Sequence, residues 1–425
     1  MTRTLLRGAC VLTLGTKTPN HPEADILLED DRIAEIGPGL RARDAEVIEA
    51  TDTIVMPGFV DAHRHAWRSL FRNAADVDIE RAVRAYTPDD VYAATLVALL
   101  GAIEAGVTAV VDWADVATDD ARVDAALQAH ADAGVRTVFV PPATGERDAS
   151  RIAAGGGTAT PTSVAFGAEI GIGFYAEAAS DAWAAGRATG RRIHAHAATS
   201  PAPGTIAELA SRGMLGDDVT VVHAAGLDAD ALDAIAARGA AICLTPAAEM
   251  AGGSGSPPIQ QLLDRDLRPA LGVDDERIGP GDLFAQMRET ISLQHATVFD
   301  RKLIGKAGLP RLMNTRDVIR YATVEGARAA GLRGVVGSLE VGMQADLIVL
   351  RTDRPNVFPI NDPIGAVVWG MDTSNVDRVI VAGRTLMRDG ALDADVARAR
   401  ELATSARERV MAASGTVPAA AGGTR

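Results

Sequence analysis

Residues 53–65 read TIVMPGFVDAHRH, an apolar run that leads directly into polar side chains. The part Ile54–Val60 has the length and β-branched content of a buried strand. His63 and His65 follow it, and residues two apart on a strand project to the same side. Both imidazoles can therefore reach a single metal ion at the end of this strand.

Downstream of this stretch, strand-like runs alternate with helical patterns. The further strand runs are TAVVDWA, RTVFVPP, VAFGAEIG, RRIHAHAA, VTVVHAAG, AAICLTP and RPALGVDD. Helices are predicted at Asp89–Gly106, Asp119–Gly134, Ala176–Gly190, Thr205–Arg212, Asp228–Gly239, Ile259–Asp264, Asp282–His295 and Thr315–Gly331. Repeated β-then-α units with right-handed crossovers give a parallel sheet, and eight such units close it. The predicted fold class is α/β, a (β/α)8 TIM barrel.

Short strand patterns separated by Gly, Asp and Pro occur at both ends of the chain. We predict that residues 1–56 and 335–395 pair into a small composite β-sandwich beside a barrel of residues 57–334. Residues 396–425 are expected to form a C-terminal helix and a disordered tail, because the last residues offer too little apolar surface to offset ordering.

The overall charge limits the partners. The formal net charge is −14, which disfavours nucleic acid and anionic membranes because phosphate binding needs a basic face. No apolar run is long enough to span a bilayer, and the N-terminal run is too short for a secretory signal. Cys10 and Cys243 are the only cysteines. We therefore expect a reduced, cytoplasmic setting and a small-molecule substrate.

Metal-capable residues recur where strands of the predicted barrel end, which is where active sites of such barrels lie. His196 ends the fifth strand, His223 the sixth, and Asp274 the eighth. Taken singly, His-x-His is a weak signal, His223 would more often be a hydrogen-bonded core histidine, and Asp274 could simply cap the following helix. Together with His63 and His65 they predict a site for one divalent cation.

The donor types indicate the metal and its chemistry. Neutral imidazoles with one carboxylate suit Zn²⁺ best, and Fe²⁺ or Mn²⁺ by the same ligand logic. Such an ion with an open position lowers the pKa of water toward ~7. Asp274 is then placed to carry the water proton, and His223 to polarise the substrate or to serve as a further ligand.

Several motifs resemble the amidohydrolase superfamily, most closely its branch of cytosine/guanine deaminase-like and triazine hydrolase-like enzymes. The resemblance covers about residues 5 to 395 and is carried by PGFVDAHRH (57–65), HAH (194–196), VVHAAGL (221–227), LGVDD (271–275) and GSLEVGMQADLIVL (337–350). It implies a (β/α)8 barrel with a terminal β-sandwich and a mononuclear metal site. It assigns ligand roles to His63, His65, His196 and Asp274, and a water- or substrate-contacting role to His223. It also leaves a homo-oligomer open.

The chain departs from that branch at one position. The deaminases usually carry a glutamate three residues after the fifth-strand histidine, where this chain has Thr199. Threonine does not transfer protons in the same way at neutral pH, so deamination in the strict sense is in doubt while the metal site is not. No lysine ends the fourth strand, which argues against a carbamylated-lysine dinuclear centre. Glu169 there could in principle hold a second cation.

Two further residues are candidates for substrate binding. Glu249, after the seventh strand, could replace the missing acid or contact a substrate ammonium, or be a solvated loop carboxylate. Trp67 could wall the pocket, or pack between the barrel and a helix.

The sequence therefore predicts a metal-dependent hydrolase acting on a non-peptide carbon–nitrogen bond of a small nitrogen-rich or cyclic compound through metal-activated water. One alternative uses the same site for dehydrative cyclisation or dechlorination, which the departure at Thr199 keeps open. The other is a catalytically silent binding protein, which would lack stoichiometric metal.

Overall fold

The computed structural model describes residues 2–142, 162–170, 176–197 and 204–415. Over these residues the chain has a mixed α/β fold. The strands are β1 (Arg3–Val11), β2 (His21–Glu29), β3 (Arg32–Gly37), β4 (Glu46–Glu49), β5 (Thr53–Pro57), β6 (Phe59–Arg64), β7 (Val107–Trp113), β8 (Arg136–Val140), β9 (Thr162–Val164), β10 (Phe166–Glu169), β11 (Ile193–His196), β12 (Val219–Val222), β13 (Ala241–Leu244), β14 (Ala270–Leu271), β15 (Leu347–Arg351), β16 (Val376–Val381), β17 (Arg384–Arg388) and β18 (Ala391–Leu392).

The α-helices lie mainly between the strands of the central segment. They are α1 (Ile79–Ala85), α2 (Pro88–Glu104), α3 (Asp120–Ala133), α4 (Ala176–Ala188), α5 (Thr205–Ser211), α6 (Ala229–Arg238), α7 (Pro246–Ala251), α8 (Ile259–Leu263), α9 (Leu283–Leu303), α10 (Thr315–Tyr321), α11 (Val324–Ala329), α12 (Pro363–Gly365) and α13 (Val396–Ser414). Two 3₁₀ helices at Ala66–Phe71 and Thr373–Asn375 and a π-helical turn at Ala366–Gly370 complete the described helices.

Strands from both ends of the chain share one sheet. Among the described residues it has nine strands, in the order β18-β17-β16-β15-β5-β1-β2-β3, with β4 alongside β1. The two ends meet where β5 and β15 pair antiparallel, with Ile54 opposite Leu350. Buried apolar side chains from both ends, such as Leu6, Ile26 and Leu347, belong to one hydrophobic cluster. This common core holds the two ends together.

The predicted strand Ile54–Val60 is divided between two sheets. Its first part is β5 and its second part begins β6, with Gly58 between them. A Cβ atom at position 58 would lie 2.1 Å from the Thr108 side chain, so only glycine fits. The prediction of one continuous strand is wrong because the chain changes sheets at this glycine.

The central segment forms two parallel sheets, β6-β7-β8-β9 and β10-β11-β12-β13-β14, over its described residues. Backbone hydrogen bonds connect them on both sides. Ala165, between β9 and β10, donates its N–H to the Phe139 carbonyl of β8 over 2.9 Å. At the other side, Asp274 donates to the His63 carbonyl over 2.8 Å, and His65 donates to the Asp274 carbonyl over 3.0 Å. These last two bonds hold Asp274, which follows β14, beside the predicted ligands His63 and His65.

Helices follow the strands near the predicted positions, and two of the predicted helices differ in extent from those in the structure. Helix α9 continues to Leu303 because no glycine or proline interrupts it before Gly305, whose φ is +72°. The predicted helix Thr315–Gly331 is instead the pair α10 and α11. Thr323 between them has φ −132° and ψ −82°, which is not helical, so the helical conformation is interrupted between Tyr321 and Val324.

The C-terminal helix α13 packs against α2, where Arg409 forms an ion pair with the buried carboxylate of Asp90. This helix occupies the start of the predicted C-terminal segment, and the predicted disordered tail from residue 416 lies outside the described residues. Within the described ranges, no helix combines the length and apolar character needed to cross a bilayer.

Candidate metal centre

Five metal-capable side chains converge at one end of the parallel strands. They are His63 in β6, His65 directly after it, His196 at the end of β11, His223 directly after β12, and Asp274 shortly after β14. The His63 ring centroid lies 4.9 Å from those of both His65 and His196, and the His196 centroid lies 4.9 Å from that of His223. Residues that are far apart in the chain therefore meet at a single point.

The Asp274 carboxylate faces three of these rings. Its Oδ1 atom lies 3.5 Å from His63 Nε2 and 3.3 Å from His65 Nε2, and its Oδ2 atom lies 3.8 Å from His223 Nε2. His196 Nε2 lies 3.1 Å from His223 Nε2. The imidazole nitrogens and carboxylate oxygens thus point toward a common centre.

The residues fit a bound cation. His63 and His65 are buried. Among the described residues, neither Nε2 atom has a hydrogen-bond partner, and His63 Nδ1 also lacks one. Buried polar atoms without partners cost roughly 1–3 kcal/mol each, so native proteins rarely leave them unused. Within two overlapping groups, His63/His65/His196 and His63/His223/Asp274, the ligand atoms lie within 4.8 Å of one another. Imidazole nitrogens with one carboxylate form a donor set that suits Zn²⁺.

Carboxylates orient two of the imidazoles through the Nδ1 atom of each ring. Asp115 Oδ1 lies 3.0 Å from His65 Nδ1, and Glu169 Oε1 lies 2.7 Å from His196 Nδ1. An ionised carboxylate only accepts, so these contacts place the ring proton on Nδ1 and leave the Nε2 lone pair free for a metal. Asp115 is not among the predicted site residues, although it is an acidic residue directly after a predicted strand.

Two site residues have an unusual backbone conformation. His223 has φ +67° and Asp274 has φ +63°, in the left-handed region that residues other than glycine seldom occupy. Such conformations persist where surrounding structure enforces them, and they are frequent at functional sites. Here the His223 N–H donates to the Cys243 carbonyl over 2.9 Å, and the Asp274 N–H donates to the His63 carbonyl over 2.8 Å.

Burial and neighbouring charges move the pKa values in opposite directions. Burial lowers the pKa of His196 and holds that of His63 well below its usual value, which favours neutral imidazoles. Burial also acts to lower the pKa of His223, but the neighbouring carboxylates of Glu249 and Asp274 raise it overall. The pKa of Asp274 lies well below its ordinary value despite burial, because His63 and His223 stabilise its anion.

Residues 54–386 match the model of the Amidohydrolase family. The chain belongs to this family.

Two of the relatives that align over most of their length are deaminases by name. The 5'-deoxyadenosine deaminase of Methanosarcina mazei is 27% identical, over 91% of this chain and 93% of that protein. A 5-methylthioadenosine/S-adenosylhomocysteine deaminase from Syntrophobacter fumaroxidans is 28% identical, again over 91% of this chain and 93% of the relative.

Solved structures show the same fold. An adenosine deaminase from Xanthomonas campestris with bound zinc superposes with a TM-score of 0.83 at 20% identity, covering 97% of this chain and 99% of the other. Atrazine chlorohydrolase from Arthrobacter aurescens TC1, complexed with zinc, gives 0.79 at 20% identity and covers 95% and 100%. The family match and the deaminase relatives, together, identify this amidohydrolase as an enzyme, a metal-dependent hydrolase of carbon–nitrogen bonds in small compounds.

Glu249 of this amidohydrolase is buried, so the alternative of a solvated loop carboxylate is wrong. Its Oε1 atom accepts from the Thr245 N–H over 2.9 Å, and its Oε2 atom accepts from the Ala225 N–H over 3.3 Å. Oε1 also lies 3.6 Å from His223 Nδ1. Glu249 therefore anchors the segment that carries His223, and a contact between Glu249 and substrate stays a prediction.

Trp67 is almost fully buried and packs edge-on against Tyr86, with ring centroids 5.4 Å apart. Its indole N–H donates to Asp115 Oδ1. The structure therefore places Trp67 in a packing cluster behind the metal centre, and its predicted contact with substrate stays a prediction.

The fifth-strand motif contributes one ligand candidate. His196, and not His194, belongs to the converging group. His194 is fully buried with no hydrogen-bond partner on either ring nitrogen among the described residues, and burial and Arg192 lower its pKa to about 3. Glu169 contacts the His196 ring, and a second cation on it stays a prediction. Thr199 lies outside the described residues.

Proposed function

We propose that this amidohydrolase binds one Zn²⁺ through His63, His65, His196 and Asp274 and hydrolyses the exocyclic carbon–nitrogen bond of an amino-substituted nitrogen heterocycle. The observation that carries the proposal is the convergence of buried ligand atoms from separate strand ends, several of which have no hydrogen-bond partner in the described part of the chain. Fe²⁺ and Mn²⁺ fit the same donors less well.

In the reaction, water and the amino compound give an oxo compound and ammonia. A bound Zn²⁺ supplies Lewis acidity that lowers the pKa of water to about 7. Asp274, whose lowered pKa keeps its carboxylate ionised, takes a proton from water and returns it to the departing nitrogen. His223 has a raised pKa, and its Nε2 atom faces the site, so it donates a hydrogen bond where negative charge develops on the substrate.

The relatives suggest which heterocycle to test first. Their names specify 5'-deoxyadenosine, 5-methylthioadenosine and S-adenosylhomocysteine, which are purine nucleosides without a phosphate group. We therefore infer a purine nucleoside or a similar amino-substituted ring as the substrate class of this enzyme. Dechlorination or dehydrative cyclisation remains the second candidate because Thr199 stands where the related deaminases carry a glutamate.

The finer architecture is also part of the proposal. The hydrogen bonds that join the two parallel sheets on both sides support a closed (β/α)8 barrel of residues 57–334. The nine-stranded sheet and its internal apolar cluster support a β-sandwich built from residues 1–56 and 335–395. A cytoplasmic setting and a homo-oligomer stay predictions.

Metal analysis and product analysis test the function together. We expect about one zinc per purified chain, loss of activity on chelation, and recovery on adding Zn²⁺. With 5'-deoxyadenosine or 5-methylthioadenosine in ¹⁸O-water, we expect ammonia and one labelled oxygen in the product. A chain that binds no metal would contradict the proposed site, and a turnover product without solvent oxygen would favour cyclisation.

A further inference from the structure

We propose that Asp115 is a positioning residue of the metal centre, which fixes the ring orientation and tautomer of His65 and thereby sets the affinity of the site for its cation. The inference rests on the metal site proposed above and assigns a role to a residue outside the ligand set. Asp115 lies between β7 and α3, in a different loop from any ligand.

The Asp115 carboxylate receives donors from the segment that carries the ligands of β6. Oδ1 accepts from His65 Nδ1 over 3.0 Å and from the Trp67 indole N–H, and Oδ2 accepts from Arg68 Nη2 over 3.2 Å. The three donors belong to residues 65, 67 and 68, which directly follow β6. The Asp115 carboxylate therefore holds this short segment through three of its side chains.

This contact decides which nitrogen of His65 is available. With Nδ1–H donating to Asp115, the lone pair lies on Nε2, which is buried and has no hydrogen-bond partner in the described ranges. Nε2 also lies on the side of the Asp274 carboxylate, 3.3 Å from Oδ1. Without Asp115, the His65 ring could take the other tautomer or rotate, and each change would remove the lone pair from the site.

Asp115 is itself held from the opposite side of the site. Arg68, which contacts its Oδ2 atom, also pairs with Asp275 Oδ2 over 2.9 Å. Asp275 directly follows the ligand Asp274, so one chain of contacts joins the loop after β6, the loop after β7 and the loop after β14. By contrast, His63 has no hydrogen-bond partner on either ring nitrogen within the described residues. In the part of the chain that the structure describes, His65 is thus the histidine of His-x-His whose ring makes a side-chain hydrogen bond.

The test compares zinc affinity in Asp115→Ala and in a matched control, Asp119→Ala. Asp119 lies in the same loop, caps α3 by accepting from the Arg122 N–H over 3.0 Å, and touches no ligand. Apo proteins are titrated with Zn²⁺ against a chromophoric chelator, so the readout does not depend on turnover. We expect the Kd for Zn²⁺ to rise about 10–100-fold in Asp115→Ala and to stay within about 3-fold of wild type in Asp119→Ala.

Asp115→Asn adds a conservative variant. Its amide oxygen can still accept from His65, while its NH₂ group faces the Arg68 donor, so we expect a smaller rise in Kd and partial rescue relative to alanine. If Asp115→Ala does not fold, Asp115→Asn decides, with a rise of at least about 3-fold expected.

The outcomes separate this inference from the proposed function. Wild type that binds one zinc, together with Asp115 variants of unchanged Kd, would overturn the positioning role and leave the metal site standing. Wild type that binds no zinc would overturn the site itself. An equal loss of affinity in Asp115→Ala and Asp119→Ala would also overturn the inference, because it would show general disturbance of the loop.

Discussion

The Glu169 carboxylate lies 2.7 Å from His196 Nδ1 while 58% of its side chain is exposed, so an accessible acid orients a buried ring. We expect Glu169→Ala to raise the Kd for Zn²⁺ about 10-fold or more, because the His196 tautomer is no longer fixed. Its free energy of unfolding should change by less than about 0.5 kcal/mol, as for other exposed sites. Zinc titration and chemical denaturation of the apo protein measure the two effects.

Glu208→Ala is the control for this substitution. Glu208 is similarly exposed and forms a surface ion pair with Arg212 over 2.9 Å, so its removal should leave zinc affinity unchanged. If Glu169→Ala bound zinc as tightly as Glu208→Ala, Glu169 would have no part in holding His196.

Asp274→Asn tests the proton carrier. The amide keeps the shape of the carboxylate but cannot take a proton from water, so we expect kcat to fall by a factor of about 10²–10⁴. Ammonia release in steady state measures this, and circular dichroism with a thermal scan checks that the fold is intact. Asp282→Asn is the matched control, because Asp282 caps α9 and asparagine caps helices equally well. Wild-type turnover in Asp274→Asn would remove this residue from the mechanism.

The site was predictable because strand ends in a parallel α/β fold meet at one edge. The positions of His63, His65, His196, His223 and Asp274 after apolar runs indicated their convergence without any coordinates, and the structure brings all five together. Strand periodicity supplies that information because it is local to each segment.

The residues around the ligands were harder to predict because their contacts are not local. Asp115 reaches His65 across 50 positions of the chain. Glu249 was expected to be free for substrate or solvent, yet its carboxylate is used by backbone N–H groups of two loops. Which acid is buried and which is exposed depends on loop packing that periodicity does not encode. The break at Gly58 was missed for the same reason, since the Thr108 side chain that enforces it lies in β7.

Gly58→Ala tests this junction between the two sheets. The added methyl group would overlap the Thr108 side chain at 2.1 Å, and we expect a loss of about 1–3 kcal/mol in the free energy of unfolding. Gly37→Ala is the control, because its nearest atom would be 3.9 Å away and its φ is not positive. Chemical denaturation of both apo variants gives the comparison. Equal stability of the two would show that the junction relaxes to admit a side chain.

A buried chain of hydrogen bonds supports the loop that carries His65. Asp112 Oδ1 accepts from the Ala66 N–H over 3.0 Å, Asp112 Oδ2 lies 2.8 Å from His130 Nε2, and His130 Nδ1 lies 2.8 Å from Thr137 Oγ1. His130→Ala would leave the Asp112 carboxylate without its buried partner, and we expect a loss of about 3–5 kcal/mol in unfolding free energy. Thr137→Val removes only the outer contact and should cost about 1–2 kcal/mol. Because Ala66 directly follows His65, the weaker hold on its N–H should also reduce zinc affinity in His130→Ala but not in Thr137→Val. Equal losses of stability and unchanged affinity in both variants would show that His130 contributes packing alone.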